Sequence, residues 1–230
     1  MKFWKKECDK VKFTASYSGG KDSALAIYRA VSQGHTPILL ITTYNVERSH
    51  SYSHAIPESV LECVSDSLGI PKLLVKTTDA EYLRDFEKAL AYAKELGAEA
   101  CVFGDIDIEG HRLWCSERCE NAGLKPLHPL WGEDRRDIVF EFIDKGFVAN
   151  ITVVNTKYLD EEFLGKQLTR EVLERICSKG IDICGESGEY HTFVSDGPIF
   201  RRPVDFSFGE KIINGEYTRL EVNNTNAHSK

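Results

Sequence analysis

Ser18, Gly19, Gly20, Lys21, Asp22 and Ser23 follow an apolar run at residues 11–17 and precede a helix-like run at residues 24–33. Those residue types at a strand-to-helix turn make an anion cradle. Backbone N–H groups converge at the helix start, where the positive end of the helix dipole also points. Glycines let phosphate oxygens approach without meeting a Cβ. Lys21 adds a mobile positive charge, Asp22 a carboxylate for Mg²⁺, and the Ser18 and Ser23 hydroxyls further donors. The adjacent Gly19 and Gly20 rule out a Walker A loop, which needs four residues between its first glycine and its Gly-Lys-Ser/Thr.

A second stretch crowds chemistry into residues 185–192: Gly185, Glu186, Ser187, Gly188, Glu189, Tyr190, His191 and Thr192. It follows a buried-type element at residues 181–184. An acid in such a turn can hold an ammonium ion and take its proton as a general base. Glu186 and Glu189 are the candidates, with Tyr190 and Thr192 beside them as substrate contacts. Residues 50–57 carry His50, Tyr52 and His54. They read either as a plain polar loop or as a cover over a nucleoside or substrate, with His54 as the contact.

The elements that must position these groups alternate from residue 11 to about residue 154. Strand-like runs fall at 11–17, 37–43, 72–76, 100–104, 125–130 and 148–154, and helical periods at 22–33, 57–68, 80–96, 110–122 and 135–145. Each helical period meets a glycine at its end, from Gly34 to Gly146, the expected left-handed stop. Such alternation predicts an α/β fold, a parallel sheet with helices on both faces. Ligands in these sheets sit at the carboxyl ends of strands near a topological switch point. Thr43, Gly104 and Asp105 occupy such ends. Asp105 suits Mg²⁺, a ribose hydroxyl or a helix cap, and Asp107 the same with less support. Arg112 faces phosphate or solvent, and Arg118 reads as solvent-facing.

The pattern changes after residue 155. A helix over 169–178, a run at 193–200 and a hairpin at Asn214-Gly215 predict a smaller C-terminal α+β part. The expected division is 1–154 for nucleotide binding, 155–222 for substrate, and a frayed tail at 223–230.

Composition narrows the function. The 230 residues carry a net charge of −7, so no global basic field draws nucleic acid. No apolar run reaches the roughly 18 residues of a membrane span, and no signal-peptide pattern opens the chain. Seven scattered cysteines without Cys-x-x-Cys read as reduced thiols of a cytoplasmic protein. Cys115 and Cys119 share a helix face and read as small apolar core residues rather than metal ligands.

The hexad 18–23 resembles the pyrophosphate loop of the N-type ATP pyrophosphatases. Further motifs follow in order: His54-x-x-Pro57, Pro126-Leu127-x-Pro129-Leu130-Trp131-Gly132, Gly146-Phe147, Leu164-Gly165 and Gly185-Glu186-x-Gly188-Glu189-Tyr190-x-Thr192. Over residues 11–203 the chain resembles the diphthine–ammonia ligase family of those enzymes. That resemblance implies a Rossmann-like PP-loop (HUP-type) fold that uses ATP and Mg²⁺. It implies that a carboxylate attacks the α-phosphorus, pyrophosphate leaves, and ammonia displaces AMP. In characterised members the carboxylate belongs to diphthine, a modified histidine of elongation factor 2. It also implies catalytic roles for Lys21, Asp22, Glu186 and Glu189, with Asp22 on the metal, and leaves a homodimer open. Residues 104–106 and 108–114 depart from the family pattern, and the long C-terminal extension of the eukaryotic members has no counterpart here. The alternatives are sulfur transfer to tRNA, action on another carboxylate, or a nucleotide-binding module without catalysis.

Overall fold

The computed structural model describes residues 10–225. Five parallel strands form the first sheet: β1 (Lys12–Ser16), β2 (Thr36–Asn45), β4 (Lys72–Thr77), β5 (Ala100–Val102) and β6 (Lys125–Leu127). Their spatial order is β4-β2-β1-β5-β6. After β4 the chain crosses from one side of β1 to the other. The switch point therefore lies at β1, and the carboxyl ends of β1 and β5 open side by side there. The short β3 (His50–Ser51) runs antiparallel to the end of β2, pairing Tyr44 with Ser51. Tyr44 also pairs with Lys76 of β4, so β3 takes the side of β2 that β1 leaves beyond Ser16. That placement brings residues 50–57 against the loop that follows β1.

Helices cover both faces, as expected. The sheet's alternation decides which residues meet which layer. Phe13, Ala15, Leu40, Ala100 and Val102 pack in one core with α1 (Lys21–Ser32), α2 (Glu58–Leu68) and α5 (Arg135–Asp144). Leu39, Ile41, Cys101 and Phe103 pack in another with α3 (Tyr82–Glu95) and α4 (Glu109–Asn121). Cys115 and Cys119 belong to that second core, at 6% and 0% exposure. The glycines at the helix ends, Gly34, Gly69, Gly97, Gly123 and Gly146, all take positive φ.

Two readings of the chain change. The strand at 148–154 does not join the parallel sheet. It is β7 (Val148–Asn155), and it pairs antiparallel with β8 (Tyr190–Asp196) and β10 (Tyr217–Asn224). With β9 (Phe206–Asn214) these make a second, antiparallel sheet in the order β8-β7-β10-β9. The reason is non-local: strands far along the chain offer β7 a complete ladder. Helix α6 (Arg170–Ser178) connects β7 to β8. The tail also differs, since Asn223 and Asn224 pair with Ser207 and Phe206 and so complete β10. Residues 226–230 lie outside the described residues.

Candidate active site

The loop 17–23 leaves β1 and turns into α1 with a positive φ at Gly19. No side chain caps α1 at Gly20, as none caps α2, α3 or α4, and of its first-turn N–H groups Thr192 Oγ1 takes that of Lys21. The positive end of the helix favours an anionic ligand at the Asp22 and Ser23 end of the turn. The loop is braced from below. The Ser18 and Ser23 hydroxyls lie 3.1 Å apart, and Ser23 Oγ donates to the Gly20 carbonyl at 3.0 Å. The second sheet clamps it as well. The Lys21 N–H donates to Thr192 Oγ1 at 3.1 Å, and the Val194 N–H to the Gly19 carbonyl at 3.0 Å.

Close packing fixes what these positions tolerate. A Cβ on Gly20 would lie 2.0 Å from His54 Cε1, and one on Gly104 would lie 2.8 Å from the backbone of Asp22 and Ser23. His54 thus sits on the loop. Its Nδ1–H donates to the Thr192 carbonyl at 2.6 Å, since a carbonyl only accepts. This leaves Nε2 with the lone pair. Burial pushes the His54 ring down to about 4, with the Lys21 charge adding to the effect. Burial, then His54 itself, pushes His191 down to about 3. Both rings are neutral at physiological pH, 5.0 Å apart and edge to face.

A cavity of about 380 Å³ opens in front of the loop. Ser18, Asp22, Ser23, His54, Gly104, Asp105 and Glu186 line it, so the sheet's switch point, the loop and the 185–192 turn converge on one space. Its remaining wall holds Tyr82, Phe86 and Trp114, whose rings pack within 5.4–6.2 Å of one another. Sequence reasoning passed over those three and His191. Tyr82 and Phe86 lie one turn apart on α3 and Trp114 on α4, so they read as core-facing helix residues, and nothing in their spacing announces a cavity. Thr43 lines a contiguous cavity of about 160 Å³ that shares Ser16, Ser18, Ser53 and Tyr82 with the first.

The charges in the cavity are one-sided. Among the described residues Asp22, Asp105 and Glu186 line it, and no lysine or arginine does. Burial pushes the Glu186 carboxyl up to about 7, and the Asp22 charge pushes the same way. One Asp22 oxygen, Oδ1, is buried without a hydrogen-bond partner. Asp105 accepts from the Cys115 thiol at 3.6 Å and lies 3.7 Å from ring nitrogens of both His111 and His128.

Four expectations need correction. Lys21 is not a mobile charge in the cavity. It is 5% exposed, its Nζ donates to Asp22 at 2.8 Å and to the Cys184 carbonyl, and it so ties the loop to the second part of the chain. Burial alone would lower its pKa, but the Asp22 carboxylate beside it carries it well above the ordinary value. Glu189 does not reach the cavity with Glu186. Positive φ at Gly185 and Gly188 reverses the chain between them, and Glu189 turns back to accept the Ser187 N–H at 3.0 Å. Tyr190 and Thr192 are buried braces rather than cavity walls. The Tyr190 hydroxyl donates to the Ile183 carbonyl at 2.5 Å, and its ring lies 5.6 Å from Lys21 Nζ. Arg118 is buried, not solvent-facing, because Glu87 at 3.0 Å and Glu117 take its charge and Trp114 stacks on it. Arg112 pairs with Glu109 at 2.7 Å and covers the Trp131 ring.

Residues 11–126 match the diphthamide synthase N-terminal domain, and residues 134–226 match the C-terminal domain of the same proteins. The chain belongs to the diphthamide synthase family. It is accordingly an enzyme, an ATP-using ligase that forms a carbon–nitrogen bond. Diphthamide synthase relatives include a diphthine–ammonia ligase of Danio rerio, 27% identical over 224 residues, covering 86% of this chain and 88% of that one. The Homo sapiens protein of the same name is 24% identical, covering 88% and 85%. A Schizosaccharomyces pombe relative is 26% identical over 89% of this chain but only 38% of its own. The long extra segment expected of eukaryotic members therefore marks the fission-yeast protein, not the two vertebrate ones.

Proposed function

We propose that the chain adenylates a carboxylate and passes the acyl group to ammonia, releasing AMP and pyrophosphate. One observation carries the reading: Asp22 and Ser23, in the first turn of α1, line the same cavity that Glu186 lines. The loop N–H groups, with Ser18 and Ser23, bind the phosphates. The nucleoside extends toward Thr43, and Asp105 holds a ribose hydroxyl or metal water. Lys21 acts from behind, fixing Asp22 and the Cys184 carbonyl in place.

A polyphosphate does not enter a cavity walled by Asp22, Asp105 and Glu186 without cations. The residues present therefore fit Mg²⁺. The Asp22 Oδ1, buried without a hydrogen-bond partner, would be its ligand from the protein. Among the described residues no group of three or more His, Cys, Asp or Glu is placed to hold a metal ion. Bound there, Mg²⁺ neutralises charge on the leaving pyrophosphate. His54 and the 185–192 turn keep water from the activated acyl group.

Glu186 holds the ammonium ion and accepts its proton, which requires the ionised carboxylate. Its pKa near 7 sets the sign: protonated below, ionised above. Amide formation should rise with pH through that range. Glu186→Gln should remove the rising limb and most amide formation, while nucleotide affinity stays within about threefold because no ATP contact is lost. If the variant keeps the wild-type pH profile, Glu186 is not the base.

The acceptor is a carboxylate, and the relatives' names make diphthine on elongation factor 2 the first to test. The six described cysteines are all free, which suits a reducing compartment such as the cytoplasm. No helix among the described residues is long and apolar enough to cross a membrane. The deciding assay incubates α-labelled ATP, ¹⁵N-ammonium and the candidate acceptor. AMP with ¹⁵N-amide supports the ligase. ADP and phosphate, or sulfur transfer to tRNA, would replace it.

A further inference from the structure

A second cavity, of about 200 Å³, adjoins the first and shares Ser53 and His191 with it. Both parts of the chain build it. The segment after β2 contributes Arg48 and His50, and the second sheet contributes Tyr217 and Arg219. The sheet fixes how this cavity meets the phosphate loop. Arg219 of β10 lies opposite Val153 of β7, and Val153 lies opposite His191 of β8. Residues paired in this way share one face, so Arg219 stands two strands, roughly 10 Å, from His191 along one row. His191 packs on His54, which sits on Gly20. The row therefore leads from the loop to the arginines.

Charge separates the two spaces. Among the described residues no aspartate or glutamate lines the second cavity, whereas Asp22, Asp105 and Glu186 line the first. Arg219 is half-buried and, among the described residues, has no carboxylate within ion-pair distance. Arg48 meets Asp79 at 3.0 Å, but both side chains are exposed and such a pair is weak. Burial, backed by the charges of Arg219 and Arg48, holds the His50 ring below its usual pKa, so the positive charge here is that of the arginines. Ser49 and Ala55, the non-glycine residues with positive φ among those described, bracket the segment between the cavities. Such conformations cost free energy and persist where the surroundings enforce them.

The reaction supplies an anion that fits. As the carboxylate oxygen bonds to the α-phosphorus, the bond from that phosphorus to the bridging oxygen breaks, and pyrophosphate leaves with the electron pair. Left in line, it can attack the acyl-adenylate and remake ATP. Its first surroundings are acidic, and the adjoining cavity holds two guanidinium groups, whose fork matches phosphate oxygens. We propose that the Arg48–Arg219 cavity is an exit site for pyrophosphate. It draws the product off the loop and holds it apart from the adenylate until ammonia has reacted. This rests on the ligase reading, which supplies the pyrophosphate.

The test is calorimetry with Mg²⁺ and imidodiphosphate, a pyrophosphate whose bridging oxygen is replaced by N–H. Affinity for α,β-methylene-ATP is measured first. Its absence would fail the nucleotide reading alone, because imidodiphosphate can still be titrated into the free protein. Protein saturated with the nucleotide should take up one equivalent of imidodiphosphate. Inorganic phosphate should bind at least about tenfold more weakly, because it brings a single phosphoryl group to two guanidinium forks. Arg219→Gln should weaken imidodiphosphate at least about tenfold, the scale of a hydrogen bond to a charged group, and leave nucleotide affinity within about twofold. Arg219→Lys should restore part of the loss, since a point charge remains without the fork. Arg48→Gln, on the exposed turn, should weaken binding as well, and it carries the comparison if Arg219→Gln does not fold. No uptake by the nucleotide-saturated protein, phosphate binding as tight as imidodiphosphate, or normal imidodiphosphate binding by the folded variant each overturns the proposal.

Discussion

Replacing Lys21 by alanine is expected to cut AMP formation at least about a hundredfold, the scale of a small misplacement of reacting groups caused from outside the site. The structure sharpens the reason. Lys21 Nζ satisfies Asp22 and the Cys184 carbonyl at once. Its removal uncovers a second negative charge beside Glu186 and loosens the turn that presents it. The Glu186 carboxyl should then titrate even higher than about 7, because the Lys21 charge now holds it down. The pH–rate profile of the residual activity should shift to higher pH. Thermal melting separates this from misfolding, since a buried partner lost on each side costs about 1–3 kcal/mol and leaves a folded protein. Full activity in a folded Lys21→Ala protein would mean that Lys21 does not hold Asp22 and the 184–186 turn in their working positions.

Gly104→Ala should be nearly as damaging without touching any charge. The new Cβ would lie 2.8 Å from the Asp22 carbonyl carbon and from the Ser23 nitrogen, atoms of backbone rather than of a flexible side chain. Either β5 or the first turn of α1 must move. Overpacking of this kind costs about 1–3 kcal/mol of stability. The larger effect falls on function, because the displaced atoms carry the donors that the phosphates use. Nucleotide affinity should drop at least about tenfold, as expected for losing well-aligned charge-assisted hydrogen bonds. Gly97→Ala is the control in space, since a Cβ there meets nothing within 4 Å. Its φ of +94° still strains an alanine, so it should cost stability and spare affinity. Calorimetry with the methylene analogue reads both. Unchanged affinity in Gly104→Ala would show that the α1 terminus is not the phosphate site.

What the chain revealed in advance was what short-range pattern controls. The strand, turn and helix around residues 12–32 are one local unit, and glycines stop each following helix where the backbone needs positive φ. The parallel sheet follows from repetition of that unit. The assignment failed at β7, whose local pattern matches the earlier strands but whose partners, β8 and β10, come from later in the chain. The site divided the same way. Ser18, Asp22, Ser23, Gly104, Asp105 and Glu186 stand out in the sequence because each sits at a strand end or Gly-rich turn, His54 because it lies in a polar loop leaving the sheet beside them, and the fold brings them to one cavity. Glu186 and Glu189 could not be told apart, since only the reversal at Gly188 decides which of them faces the cavity. Lys21 looked mobile because nothing near it in sequence announces the Cys184 carbonyl, 163 residues away. Arg118 looked exposed because its acidic partner Glu87 lies on a different helix.

The central claim is that ATP binds with its phosphates on residues 18–23 and its α-phosphorus within reach of the cavity lined by Glu186. A crystal structure of the protein with Mg²⁺ and α,β-methylene-ATP tests it most directly. The account predicts phosphate oxygens on the first-turn N–H groups of α1, a cation on Asp22 Oδ1, and the nucleoside toward Thr43. Phosphates bound elsewhere, with the loop and Asp22 Oδ1 left free, would contradict it.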